Sequence, residues 1–492
     1  MKNKKLDQEA DLVSVAVFGL FGQHNHCITL KGDGLTLVHG PNGVGKTSLL
    51  KLIGFAISLN VDQLARVVFD QFSLDFSNGK QLTIDRTTTE TVVESETVTD
   101  EEIVESKAIT TQLIFKWTGG NEKERKLKVN NSPSRDDERS RGGMLRKIRD
   151  LRPWLTRVGP DEWVDERTRE LLTTDEVLEQ QSFGLSRKET EQRERFLEHI
   201  PSIPVETIES QRLLVTTVSD RTNSRHRAEK ETTNAVQFYA KKMSAKIRQT
   251  FHQSANVSQE LDRTFAHRVL TSTESLSQRE RALRETYQQQ LGTWAKIKDA
   301  GMLPEFDGPP RGRFFRLPQT QAPEQLSLPD ELDATQQRVL SFYVADTEQK
   351  LQPYRSLIDR VELFLSIVNS RFAYSGKELR CDASEGFRVQ SKAGKKVPLE
   401  FLSSGEQHEI VLNFQLIFGV DEKSLVLIDE PEISLHVDWQ REFIHQIQRI
   451  AEVRGHKFII ATHSPQIIDE HWDSTEVLRG SSEVDYEGDD SI

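Results

Sequence analysis

A short β-prone run, Leu35-Thr36-Leu37-Val38, leads into Gly40-Pro41-Asn42-Gly43-Val44-Gly45-Lys46-Thr47, and Thr47-Ser48-Leu49-Leu50-Lys51-Leu52-Ile53 begins a helix. Strand, glycine-rich turn, Gly-Lys-Thr and helix in that order leave few folds open. The turn must aim its backbone amides at one point, and the helix start adds partial positive charge there. The pattern makes Asn42, Gly43, Gly45, Lys46, Thr47 and Ser48 candidate ligands of a nucleoside triphosphate. Lys46 reaches for its phosphates, and the Thr47 hydroxyl is placed for Mg²⁺.

A second apolar run, Leu425-Val426-Leu427-Ile428, reads as a central parallel strand covered on both faces. It ends in Asp429-Glu430, at the strand end where open α/β sheets bind ligands. Asp429 is the candidate for holding Mg²⁺ through water, and Glu430 for orienting a water and taking its proton. Trp439, Phe443, Ile447 and Ile450 then recur at helical spacing, and Gly455 stops that helix. Lys457-Phe458-Ile459-Ile460-Ala461 reads as the next strand, ending in Thr462-His463-Ser464-Pro465. One βαβ step beyond Glu430, His463 is placed to donate to a terminal phosphate.

Between these halves stands Leu402-Ser403-Ser404-Gly405-Glu406-Gln407. GPNGVGKT, LSSGEQ, LVLIDEPE, SLH and ATHSP, in that order, resemble the ATP-binding-cassette ATPases. More narrowly they resemble the branch holding SMC proteins, the double-strand-break-repair ATPase and OLD-type ATPases. The FGLFG start, IESQRLL and IDEPEISLHVDWQ are most similar to stand-alone bacterial anti-phage ATPases of the Septu and PARIS kind. The resemblance covers residues 12–58, 203–216 and 396–470. It implies that Ser403 and Gly405, with Glu406 and Gln407 extending the signature, meet the nucleotide held by Lys46 of another copy. The implied assembly is an ATP-sandwich dimer, with higher homo-oligomers open. Gln211 fits the loop glutamine that touches Mg²⁺ and the reacting water, with Gln71 as the alternative; Ser434 and His436 match the loop that crosses the dimer interface.

Composition bounds the rest. At 36% apolar and 29% charged residues, the chain is lean but globular. No run approaches the roughly 18 apolar residues of a membrane span and no secretory signal opens the sequence, so a cytoplasmic location is expected, with no membrane partner. Cys27 and Cys381 lie far apart and suit a reducing compartment. His24-Asn25-His26 lacks metal-ligand spacing and reads as a surface turn. The net charge of −12 argues against coating nucleic acid, yet residues 221–300 hold 15 Lys/Arg against 8 Asp/Glu. That excess suits contact with a nucleic-acid phosphate backbone, such as duplex DNA, or with an acidic protein surface, and equally a solvated helix face.

The expected fold class is α/β: an ATPase head of mixed sheet with flanking helices and an antiparallel β layer, interrupted by a helical or short coiled-coil insertion. Domains are expected at 1–221, 222–372 (with a Pro-rich linker, 304–329) and 373–492, the last ending in an acidic tail. Asn78-Gly79 marks a hairpin and Thr118 to Asn121 a second turn. Residues 130–200 read as mostly helical, with a mobile loop from Asn130 to Gly143. Ala235, Tyr239, Met243, Ile247 and Phe251 form a narrow helical stripe. The outgoing segment of roughly 80 residues could span about 120 Å against about 60 Å for a returning helix over 331–371, so a break is expected around Ser254–Asn256.

Two functions compete. One is a nucleotide-gated switch in anti-phage defence controlling a separate effector, a nuclease; the other is an SMC-like ATPase that organises or repairs duplex DNA directly. A transporter subunit is disfavoured, because the interval from Gln211 to Ser403 is too long for a compact docking subdomain.

Overall fold

Along three strands the apolar residues fall at every second position: Leu82 and Ile84, Leu113, Phe115 and Trp117, then Leu127 and Val129, all buried. That period makes one face of a sheet. The computed structural model describes residues 10–93, 106–119, 124–131, 155–159, 162–165, 171–173, 187–209, 214–218, 230–271, 280–303, 328–433, 435 and 437–480. The chain forms two compact units, Met1–Thr233 with Val420–Ile492, and Asn234–Gly419. The second unit groups the LSSGEQ segment with the long helices.

In the first unit, β1 (Leu12–Leu20), β2 (His24–Thr29), β4 (Gln71–Phe76), β5 (Lys80–Val93), β6 (Ser106–Gly119) and β7 (Arg125–Asn131) form an antiparallel sheet in the order β2-β1-β4-β5-β6-β7. The expected turn at Asn78-Gly79 joins β4 to β5, while Gly120 and Asn121 of the second lie outside the described residues. A second sheet is wholly parallel: β3 (Leu35–His39), β11 (Val205–Glu209), β17 (Leu425–Asp429), β18 (Lys457–Thr462) and β19 (Thr475–Val477), in the order β11-β17-β18-β3-β19. Helix α1 (Lys46–Ile57) buries Leu49, Leu50, Leu52 and Ile53 in one core with residues of both sheets. Each such side chain contributes roughly 1.5–3 kcal/mol when fully buried. Further helices of this unit are α2 (Val61–Arg66), α3 (Arg187–Leu197), α8 (Val437–Arg454) and the single turn α9 (Pro465–Ile468).

Two readings are corrected here. Among the described residues within 130–200, β8 (Leu155–Gly159), β9 (Glu162–Asp165) and β10 (Leu171–Thr173) form a three-stranded sheet that the mostly helical reading did not include, with α3 after them. Strands of three to five residues are too short to reveal a period, although Trp163 is fully buried. The expected loop from Asn130 to Gly143 lies almost wholly outside the described residues. His24-Asn25-His26 is not a surface turn but the start of β2. A small ribbon, β12 (Leu214–Val218) with β13 (Lys230–Asn234), leads towards the second unit.

That unit contains α4 (Ala235–Thr271), α5 (Glu280–Asp299), α6 (Ala334–Phe372), the sheet β14 (Lys377–Asp382), β15 (Gly386–Ser391) and β16 (Lys396–Val397), and α7 (Ser404–Phe414). The expected break at Ser254–Asn256 is absent. Helix α4 runs through it, and Ser254 Oγ there donates to the Lys350 carbonyl at 2.8 Å, so the polar position serves as a packing contact. The length mismatch is resolved differently. Helix α4 runs antiparallel to α6, as Arg268–Asp346 and Ser254–Lys350 show. Helix α5 runs parallel to α6, with contacts from Glu280 to Gln337, Gln290 to Val344 and Lys296 to Glu362. The outgoing segment thus doubles back on itself. At 1.5 Å per residue, α4 and α6 each reach only about 55–60 Å.

Candidate nucleotide site

The parallel sheet sets the order of the site. Strand β18 lies between β17 and β3, with Ala461 in register with Asp429 on one side and Val38 on the other. The residues that follow β18 therefore stand between those that follow β17 and β3. His463 does this: its Nδ1 is 3.4 Å from Lys46 Nζ and its Nε2 is 3.5 Å from Glu430 Oε1. An ammonium can only donate, so Nδ1 accepts and the ring proton sits on Nε2, facing the carboxylate. Lys46, His463 and Glu430 form one row across three strand ends.

Lys46 is the first residue of α1 and nearly buried; its Nζ donates to the carbonyls of Gly40 at 3.0 Å and Pro41 at 2.9 Å. Burial pushes its pKa down, while Glu430, Asp429 and Glu432 act to raise it. Two neutral carbonyls are modest partners for a desolvated cation, so the loop suits an incoming phosphate. Gly40 comes so close to the segment after β19 that an added Cβ would lie 2.4 Å from the Leu478 carbonyl oxygen. Gly45, at φ +95° beside Leu20, lets the loop turn into α1. As the opening residues of a helix, Lys46, Thr47 and Ser48 have amides with no intrahelical acceptor. Asn42 and Gly43 are exposed on the loop. These features fit a triphosphate.

Glu430 has φ +44°, a left-handed conformation unusual for a glutamate, and its N–H is tied to the Ala461 carbonyl at 2.9 Å. Glu432 is engaged elsewhere: it accepts from Thr462 Oγ1 at 2.9 Å and from the His463 N–H at 2.6 Å, fixing the loop that carries the imidazole.

A family profile described as an AAA ATPase domain matches residues 21–468. The chain belongs to the AAA ATPase domain family. Two curated proteins match short stretches. Protein ea59 of Escherichia phage lambda is 39% identical over 69 residues, 14% of this chain and 13% of that protein. The retron Ec83 probable ATPase of Escherichia coli is 30% identical over 79 residues, 16% of this chain and 14% of that protein. The chain thus matches only about a seventh of the length of these relatives. An SMC head bound to the C-winged-helix domain of ScpA aligns at 10% identity over 95% of this chain and 94% of that one, with a TM-score of 0.31. A score that low supports no inference about this chain.

The other residues expected in this AAA ATPase's site are placed as follows. Gln211 lies outside the described residues, as do Ser434 and His436; β11, two residues before Gln211, ends with Glu209 in register with Asp429. The alternative, Gln71, donates its side-chain amide to Asp85 Oδ1 at 2.7 Å across β4 and β5. Ser403, Gly405 and Glu406 open α7 in the second unit. Ser403 is exposed and caps the helix; Gly405 is half-buried. Glu406 is buried, and its oxygens accept from the Ser403 N–H, Ser375 Oγ and Lys377 Nζ at 2.7–2.9 Å. Burial pushes its carboxyl up, but the hydrogen bonds from Lys377, Ser375 and Ser403 outweigh burial and hold it below the usual range. These bonds brace the start of α7.

Sequence reasoning missed His26. Buried in β2, it donates from Nε2 to the Val44 carbonyl at 2.8 Å, inside the phosphate loop. The signal was the alternation His24, His26, Ile28 along a strand. Burial lowers the His26 pKa more than the Val44 bond raises it, and His24 lowers it further, so the folded ring is neutral below its ordinary value of 6.5. The unfolded chain binds that proton more readily, so the stabilisation is complete above about pH 6.5 and declines as pH falls below it. His26→Ala should cost about 1 kcal/mol, several-fold in nucleotide affinity. It should also flatten the loss of thermal stability between pH 7 and pH 5.5, measured by scanning calorimetry at both values.

Proposed function

We propose that the chain is an ATP-hydrolysing, nucleotide-gated switch in bacterial anti-phage defence that works as paired copies and controls a separate nuclease. The row Lys46–His463–Glu430 carries the ATPase reading, since it sets a cation, a donor and a carboxylate along one sheet edge. Bound Mg²⁺–ATP would supply an electrophilic terminal phosphate. Lys46 and the amides of residues 43–48 would hold its phosphates, with Thr47, Asp429 and Gln211 holding the metal. Glu430 would orient a water and accept its proton, while His463 donates from Nε2 to charge developing beside it. The defence role is supported by the resemblance to stand-alone anti-phage ATPases and by the short similarity to a retron ATPase. Among the described residues, no helix is long and apolar enough to cross a membrane.

The position of the signature supports the pairing. Ser403 opens a helix of 11 residues whose amides suit a phosphate, and it is exposed. The test mixes Lys46→Ala with Ser403→Arg, each inactive alone. In a two-fold pair, a 1:1 mixture should recover about a quarter of the parental ATPase rate, because half the pairs then hold one intact centre of two. Activity in either variant alone, or none in the mixture, rejects the shared site. Co-purification with a nuclease in the presence of ATP, against salt-sensitive binding of duplex DNA, separates the switch from the DNA-organising alternative.

A further inference from the structure

Among the described residues outside the nucleotide site, one side-chain cluster has the composition of a metal site. His445, midway along α8, and Glu470 and His471, just after α9, each offer a ligand atom, and the three atoms lie within 4.8 Å of one another. His445 Nε2 is already 3.7 Å from Glu470 Oε1, and the two imidazole rings meet edge-on with centroids 5.4 Å apart. The protein does not satisfy this cluster by itself: His471 Nε2 is buried without a hydrogen-bond partner. The chain is also bent to bring the cluster together, since Asp469, immediately before Glu470, has φ +45°.

We propose that His445, Glu470 and His471 bind one divalent transition-metal ion of the zinc class. Two imidazoles and a carboxylate are ligands that Zn²⁺ and its neighbours accept, and hard cations such as Mg²⁺ prefer an all-oxygen shell. Tetrahedral bonds of about 2.1 Å place ligand atoms about 3.4 Å apart. The His445–Glu470 pair is close to that value, and both side chains are exposed enough to move the remaining distance. Three protein ligands leave a fourth position for water.

The ion would do more than occupy a surface cleft. Helix α9 is only four residues long, from Pro465 to Ile468, and it joins His463 and Ser464 to the proposed ligands. Metal binding would pin its far end to α8, while Ser464 Oγ donates to Gln440 of the same helix at 2.7 Å at the near end. The loop holding His463 would then be fastened at both ends. This inference does not depend on the pairing or defence reading.

The full chain, stripped with EDTA and free of nucleotide, is titrated with Zn²⁺ against a chromophoric chelator, and separately with Co²⁺ in visible absorbance. One equivalent should bind, with the Co²⁺ form showing the intense bands of four-coordination. His445→Ala and His471→Ala should each weaken Zn²⁺ binding by more than about tenfold, the loss already typical of removing a supporting residue. Glu470→Gln, on the most exposed ligand, provides the variant least able to disturb folding; it should weaken binding too, and circular dichroism checks that it is folded. Absence of binding tighter than about 0.1 mM overturns the proposal. So does a folded Glu470→Gln protein that binds Zn²⁺ as the parent does, because the cluster is then only an ion pair.

Discussion

Glu430→Gln should lower ATP turnover by about two to four orders of magnitude and leave nucleotide affinity unchanged. The substitution keeps shape and removes the one property the role requires, a carboxylate able to take a proton. The fixed backbone makes the position hard to replace: φ +44° and the bond to the Ala461 carbonyl hold this side chain at the sheet edge, next to Nε2 of His463. Glu432 is a poor substitute, since Thr462 and the His463 N–H already occupy its oxygens. Steady-state hydrolysis measured beside equilibrium nucleotide binding checks the claim. A rate within a few-fold of the parent would remove Glu430 from the role of base.

The second large effect concerns stability. Arg371 and Glu409 are both 1% exposed, with Nε and Oε1 at 3.8 Å, and Asn413 donates to the same glutamate oxygen at 2.9 Å. Removing one partner of such a pair strands a charge in the interior, at a cost of about 3–5 kcal/mol. Arg371→Met should therefore lower the melting transition of the second unit by about 10 °C by calorimetry. Arg371→Met with Glu409→Leu should recover most of that loss, because the matched apolar pair no longer buries a carboxylate deprived of Arg371. A single-variant shift under about 2 °C would mean the pair contributes little.

Legibility of the chain followed the strength of its local signals. The phosphate loop, the β17 strand with Asp429-Glu430, and the β18 strand ending at His463 were all readable, because each couples a buried apolar run to a polar end. The hairpin at Asn78-Gly79 was readable from turn chemistry. Side-chain contacts across long sequence gaps were not. Nothing in the string around His26 announces a bond to Val44, and nothing near Ser254 announces Lys350 as its acceptor. Glu406 illustrates the converse, since the motif suggests a ligand and the buried cap with Lys377 supplies a structural reason for the same letter.

One arrangement in the second unit has a mechanical meaning. Phe364 of α6 and Phe414 of α7 pack with Phe387 and Phe418, mostly edge-on, and Tyr239 of α4 adds both a ring contact to Phe414 and a hydroxyl that accepts from Gln415. The root of the helical arm and the LSSGEQ helix are therefore cut from one stiff block. A load applied far out on α4 or α6 would reach Ser403 as a tilt, so whatever grips the arm gains leverage over the tip that the proposed pairing presents to a second copy.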